Sequence, residues 1–199
     1  SPIPDPLWSR GLGDVYKRQS GIKSPIYCDN RLILSNIKIR DYIANQMANI
    51  ISKSFSDNYI IAGVATGAIA IGALVAERLK KPYIYVRPNP KGHGLKNQIE
   101  GSLPIGSNVI VIEDLISTGM SSLNAVNAIK GESSSVNAML SIFSYSFDFA
   151  NDRFKSEKIN LISLADYNIL VEIVKEQKII SHDEIEKLQR WREDPEDWM

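Results

Sequence analysis

Short apolar runs and stretches of helical spacing take turns along most of this chain. Val109 to Ile112 are all β-branched and apolar, and so short a run, bounded by Gly106 and by Glu113 and Asp114, predicts a strand buried on both faces in a parallel sheet. From Ser121 the spacing turns helical, with Leu123, Val126, Ala128 and Ile129 on one broad side and Gly131 as the stop. The same order occurs earlier, as a strand over 59–64, the small-residue turn Ala65-Thr66-Gly67-Ala68 and a helix over 69–79. Further strands are predicted over 83–86, 135–145 and 159–164, and further helices over 36–55 and 148–155. Asp166 caps another helix reaching Glu176, with Tyr167, Leu170, Ile173 and Val174 inward, and Ser181-His182-Asp183-Glu184 is a capping box opening the last. Pro25 is barred from a central strand, which leaves an extended piece over 26–34. Strands alternating with helices predict an α/β domain around a mainly parallel sheet.

Two stretches stand outside this pattern. Residues 1–19 hold three prolines, two glycines and no sustained periodicity, so they are set aside as a non-native or unstructured leader ahead of a single domain over 20–199. Leu7-Trp8 is too short for the apolar core of a secretory signal. Residues 87–101 carry two prolines and three glycines, which rule out a regular element there. Arg87, Lys91, His93 and Lys96 are what a lid over a polyphosphate would carry, and a solvated loop with incidental charge fits the composition equally well.

Composition narrows the class. A length of 199 residues with 44% hydrophobic content suits one well-buried α/β domain and not two. Lys plus Arg equals Asp plus Glu at 23 each, so no global field favours nucleic acid or an anionic membrane, and any anion site must be local. Cys28 is the only cysteine, which excludes an internal disulfide and a Cys-based zinc site and suits a reducing cytoplasm. No uninterrupted apolar run approaches a membrane span.

The chemistry gathers where the Val109 run gives way to its helix. In an open α/β sheet the carboxyl ends of the strands face the ligand crevice, and the following helix points unpaired N–H groups into it. Residues 115–122 supply such donors, with the hydroxyls of Ser117, Thr118, Ser121 and Ser122, and Gly119 lets the backbone approach closely; an anion such as phosphate fits. Phosphate alone would not want Glu113 and Asp114. Two carboxylates beside a phosphate cradle make sense if they accept hydrogen bonds from sugar hydroxyls, or help hold a hydrated Mg²⁺ through the ligand. For the dipeptide alone a solvated strand end is the simpler reading; the whole stretch points instead to a pocket for a phosphorylated ribose.

These residues carry a resemblance. Val109-Ile-Val-Ile-Glu113-Asp114-Leu115-Ile116-Ser117-Thr118-Gly119 resembles the phosphoribosyl-pyrophosphate (PRPP) signature of the type I phosphoribosyltransferases. Ser20-Gly-Ile-Lys-Ser-Pro-Ile26-Tyr27 resembles the N-terminal hood segment of the orotate phosphoribosyltransferases, and Arg87-x-x-x-Lys91-x-His93-Gly, extended by Asn97-Gln-Ile-Glu-Gly101, resembles their catalytic loop. The resemblance runs from Ser20 to the end, where Trp191 to Trp198 is similar to the family's tail. It implies the type I phosphoribosyltransferase fold, a central mainly parallel sheet flanked by helices with a small hood at about 20–35 and a flexible catalytic loop at about 87–102.

The implied activity is transfer of ribose 5-phosphate from PRPP to orotate, with Mg²⁺ as cofactor bound mainly through PRPP and no direct protein ligand. Lys91, His93 and Asp114 would be catalytic. PRPP would meet Arg87, Lys91, His93, Glu113, Asp114, Leu115, Ile116, Ser117, Thr118, Gly119, Met120 and Ser121, with its pyrophosphate in the loop Ala65, Thr66, Gly67, Ala68. Orotate would meet Ser117, the backbone around Ile26 and Tyr27, and the ring of Tyr27. The partner implied is a second copy of the chain, in a homodimer sharing the catalytic loop across its interface. The chain departs from the pattern in lacking a lysine in the Ala65–Ala68 turn, a basic residue at Pro88 and a base-contacting arginine near Tyr145. Gln19 stands where some relatives carry a lysine, which raises the expectation that the leader impairs activity. A purine-type phosphoribosyltransferase would keep the ribose-phosphate signature without this hood, and a PRPP-sensing nucleic-acid regulator would need a basic face.

Overall fold

The computed structural model describes residues 16–17, 23–26, 28–90 and 98–195. Strand β1 (Tyr16–Lys17) pairs antiparallel with β2 (Lys23–Ser24), which corrects the expectation of no regular element before residue 20. A ladder two residues long leaves no period-2 pattern to read. The extended piece expected over 26–34 is corrected as well: Asn30–Ser35 form a 3-10 helix whose first N–H groups are met by the Asp29 side chain and carbonyl, with Ile33 in the core.

The helices and strands then alternate as α1 (Ile37–Ser54), β3 (Ile60–Val64), α2 (Ile69–Leu79), β4 (Tyr83–Val86), β5 (Ile99–Glu100), β6 (Asn108–Ile116), α3 (Met120–Gly131), β7 (Ser135–Ser144), α4 (Asp148–Ser156), β8 (Asn160–Asp166), α5 (Tyr167–Glu176) and α6 (His182–Glu193). Six strands form one sheet in the order β5-β4-β3-β6-β7-β8, parallel throughout except for β5 on β4. β5 corrects the reading of 87–101 as wholly irregular. The prolines and glycines lie outside its two residues, and Ile99 pairs with Val86 while Arg87 N–H donates to the Gln98 carbonyl at 2.9 Å.

Successive strand residues feed opposite layers. Ile61, Ile110 and Ile112 pack with Met47 and Ile51 of α1 and Ile71 and Val75 of α2. Ala62, Val109 and Val111 face the other way, against Val126 and Ile129 of α3 and Phe154 of α4. Both faces are therefore covered by helices, as the uniformly apolar β3 and the Val109–Ile112 run of β6 require. α3 runs through the expected stop: Gly131 is its last residue, and the left-handed conformation falls on Ser133, at φ 56°. On α5 Tyr167 and Val174 are buried as expected, whereas Ile173 is exposed.

A third cluster closes the end of the sheet beyond β7. Tyr145, Phe147, Tyr167 and Trp191 meet with ring centroids 5.5–6.3 Å apart, Trp191 being wholly buried against the other three. This docks α6, whose Ser181–Glu184 capping box is formed as expected, onto the strand end that presents Tyr145. Trp191→Ala should cost about 3–5 kcal/mol of stability in denaturant unfolding, the usual range for emptying a buried tryptophan site.

Candidate active site

The winding of the sheet reverses between β3 and β6: the chain leaves β3 for β4 on one side and returns to β6 on the other. Loops leaving the carboxyl ends of two such strands diverge, and a crevice opens between them. A cavity of about 570 Å³ lies there, lined from one side by Ala65, Thr66 and Gly67 and from the other by Glu113, Asp114, Leu115 and the turn Ser117-Thr118-Gly119.

On the β3 side the turn is built by small residues. The Ala65–Thr66 peptide is cis, Ala65 N–H donates to the Val86 carbonyl at 2.8 Å, and Ala68 N–H to the Val64 carbonyl at 3.0 Å. A Cβ on Gly67 would overlap the Asp114 carboxylate, so the two strand ends touch only because position 67 has no side chain. Beneath the turn the Tyr83 hydroxyl donates to the Ile69 carbonyl at 2.7 Å and occupies the space that side chains at Gly63 and Gly72 would need. Ala68 is wholly buried in the core, so of the four expected loop residues it is the one that does not line the cleft.

On the β6 side the strand runs through both acids to Ile116, longer than the sequence suggested. Strand alternation gives the two carboxylates different surroundings, though both border the cleft. Glu113 turns inward, 5% exposed; its Oε2 accepts from the Ser122 hydroxyl at 2.9 Å and its Oε1 from the Asp114 N–H at 3.0 Å. Asp114 is half-buried and lies against Gly67 in the cleft. The Asn30 amide donates to the Asp114 carbonyl at 2.7 Å, tying the 3-10 helix to the acid pair.

The phosphate-type turn follows. Gly119 caps α3 at φ 77°, a left-handed conformation that favours glycine, and no side chain caps the helix. Met120 N–H has only a long bond, 3.4 Å, to the Thr118 hydroxyl, and the N–H groups of Gly119, Ser121 and Ser122 have no acceptor among the described residues. Unmet donors at a helix start are the groups that suit an anion.

The other expected residues distribute unevenly. Leu115, Ser117 and Ser121 line the cleft; Ile116 is wholly buried in the core, and Met120 points to solvent. The Arg87 guanidinium stands 3.6 Å from Glu100, across the β4–β5 pair, and it is Pro88 that lines the cleft. The Ile26 side chain packs against the aromatic cluster. Tyr27, Lys91, His93, Lys96 and Trp198 lie outside the described residues. Sequence reasoning passed over Asp29, Arg31 and Tyr145, which also line the cleft; Asp29 and Arg31 are joined by a two-pronged ion pair of 2.6 and 2.8 Å. Among the described residues no cluster of three or more His, Cys, Asp or Glu could hold a metal ion by itself.

Burial pushes the Glu113 carboxyl well above the ordinary range, with the charge and hydrogen bonding of Asp114 adding to it and the Ser122 and Asp114 hydrogen bonds opposing it. The folded protein then keeps a proton that the unfolded chain loses, so this group's contribution to stability is full below the unfolded carboxylate pKa and is lost as pH rises through the folded one. Glu113→Gln cannot ionise and keeps both hydrogen bonds if the Ser122 hydroxyl turns to accept. Its melting temperature relative to the unsubstituted protein should therefore rise as pH increases above the ordinary carboxylate range in ligand-free thermal melts. A gap that stays constant would mean an ordinary carboxylate.

Comparison with known proteins bears on this geometry. The phosphoribosyl transferase domain model matches residues 33–146. An orotate phosphoribosyltransferase of Porphyromonas gingivalis is 48% identical over 179 residues, 90% of this chain and 85% of the relative. The crystal structure of orotate phosphoribosyltransferase from Aeropyrum pernix superposes with a TM-score of 0.72 at 26% identity, covering 88% of this chain and 94% of that one. The Leishmania donovani UMP synthase structure is alike in fold, with a TM-score of 0.78 at 21% identity; the chain covers 39% of its length.

Proposed function

Because this chain belongs to the orotate phosphoribosyltransferase family, a branch of the phosphoribosyl transferase domain family, we propose that it transfers ribose 5-phosphate from PRPP to orotate, giving orotidine 5′-monophosphate and pyrophosphate in pyrimidine biosynthesis. The observation that carries the reading is the cleft at the reversal of the sheet, where the unmet N–H groups of the α3 start face the Gly67 turn with Asp114 between them. A ligand with phosphate at one end, hydroxyls in the middle and diphosphate at the other matches that order of donors and acceptors.

In this mechanism the C–O bond to pyrophosphate breaks at the anomeric carbon, its electron pair leaving with pyrophosphate, while a ring nitrogen of orotate, its proton released to solvent, bonds to the opposite face through an oxocarbenium-like state. No side-chain nucleophile is needed. The chain's own part is positioning and charge. The turn from Ser117 to Ser122 holds the 5′-phosphate, and Asp114 accepts from ribose hydroxyls. Glu113, its oxygens already engaged by Ser122 and Asp114, acts chiefly by fixing these two. The Ala65–Gly67 backbone, Lys91 and His93 take the diphosphate, and Ser117 with the Ile26–Tyr27 segment meets orotate.

The donor set fits Mg²⁺, which keeps most of its shell as water and phosphate oxygens: of the three carboxylates that border the cleft, Asp29 is held by Arg31 and Glu113 by Ser122 and the Asp114 N–H, so no cage of several is offered among the described residues. When bound it supplies neutralisation of diphosphate charge. The enzyme would be a cytoplasmic homodimer with the 87–102 loop serving the partner's cleft. No helix among the described residues is long and apolar enough to cross a membrane.

Loss of orotate absorbance in the presence of PRPP and Mg²⁺ tests the activity directly, and purine bases in its place should release no pyrophosphate. Lys91→Ala should lower turnover at saturating substrates by about a hundredfold or more, as for other lost transition-state donors; an unchanged rate would remove Lys91 from the mechanism. Shared loops predict complementation. Co-expressing a Lys91→Ala copy with an Asp114→Asn copy should restore about a quarter of normal activity, since random pairing makes half the dimers hybrids with one intact site. A loop serving its own cleft would restore none.

A further inference from the structure

Helix α4 brings an Arg-Phe pair beneath the phosphate turn. Arg153 Nη1 donates to the Thr118 carbonyl at 2.7 Å, with its guanidinium carbon 5.3 Å from the centre of the Phe149 ring. Phe154, almost wholly buried, lies so close under Gly119 that a Cβ there would come within 2.9 Å of its ring. Thr118 and Gly119 line the cleft and Arg153 is not part of that lining, so the guanidinium grips the turn from behind.

A trans peptide points its carbonyl and its following N–H in opposite directions. With the Thr118 carbonyl drawn toward Arg153, the Gly119 N–H is turned the other way, and it has no acceptor among the described residues. Residues 115–122 contain no lysine or arginine of their own. A carbonyl released from Arg153 could rotate its negative end toward a bound anion, and the left-handed freedom of Gly119 makes such a flip sterically open.

We propose that Arg153 is a positioning residue for the 5′-phosphate: it locks the Thr118–Gly119 peptide with its N–H toward the anion and places a cation one peptide away. The inference rests on the reading of this turn as a phosphate site. A tether that merely fastens α4 to the sheet would have the same hydrogen bond but no effect on anion affinity.

The test compares the unsubstituted protein with Arg153→Gln and Arg153→Lys, using calorimetric titration with ribose 5-phosphate and with pyrophosphate, steady-state kinetics, and thermal melts. Arg153→Gln should weaken ribose 5-phosphate binding and raise the KM for PRPP by about tenfold, the size of one lost charged hydrogen bond. Turnover at saturating PRPP should stay within about threefold, pyrophosphate affinity should hold, and Arg153→Lys should recover part of the loss. A lowered melting temperature with unchanged ribose 5-phosphate affinity in both variants would overturn the inference, as would equal weakening of pyrophosphate. If the unsubstituted protein binds ribose 5-phosphate in an Arg153-dependent way yet makes no orotidine 5′-monophosphate, the proposed activity falls and the role of Arg153 stands. Failure to bind ribose 5-phosphate at all would end both.

Discussion

Gly67 and Asp114 approach until no side chain fits between them, and the arrangement of the cleft depends on that contact. β3 and β6 are neighbours in one parallel sheet, so their ends cannot separate by more than a strand spacing until the chain turns away. A bulkier residue at position 67 would push the acid toward α3 or the β3 turn toward β4. The second course is closed by Tyr83, whose hydroxyl already fills the space between Gly63 and Gly72. Glycine at three places and one tyrosine hydroxyl thus set the width of the crevice before any ligand arrives.

Period-2 alternation does the rest. Successive residues of a strand have different surroundings, and here, although both carboxylates border the cleft, Glu113 is pinned by Ser122 while Asp114 lies against Gly67. Glu113 joins the strand end to Ser122 in the first turn of α3, which fixes where the helix starts and hence where its unmet N–H groups point. Burying that carboxyl is costly, and two hydrogen bonds offset part of the cost. Rigidity at the anion turn is obtained from within the sheet rather than from the ligand.

Much of this was legible in the sequence. The spans of α2 and β4 and the caps at Asp166 and Ser181 are as predicted, because apolar spacing and capping chemistry are local signals. What escaped was set by non-local partners. β5 exists only because β4 offers an edge, and the 3-10 helix at Asn30 only because Asp29 meets its first N–H groups while Ile33 finds the core. In the cleft, the turn residues were visible by type. The division of labour between Glu113 and Asp114, the burial of Ile116 and Ala68, and the turning of Arg87 toward Glu100 each depend on which side of the sheet a neighbour occupies. Asp29 and Arg31 read as ordinary polar residues ahead of a helix, and nothing local marks them as cleft-lining.

One hydrogen bond bridges the two halves of the site. The Asn30 amide holds the carbonyl of the same residue, Asp114, whose carboxylate borders the cleft, and the Cys28 thiol in turn donates to the Asn30 side chain at 3.2 Å. The segment that carries Cys28 and Asn30 and the strand end that carries Asp114 therefore share an atom-to-atom linkage, and neither can shift without a free-energy consequence for the other. By reciprocity, whatever displaces the one element is penalised again through the other, and a single amide carries the coupling.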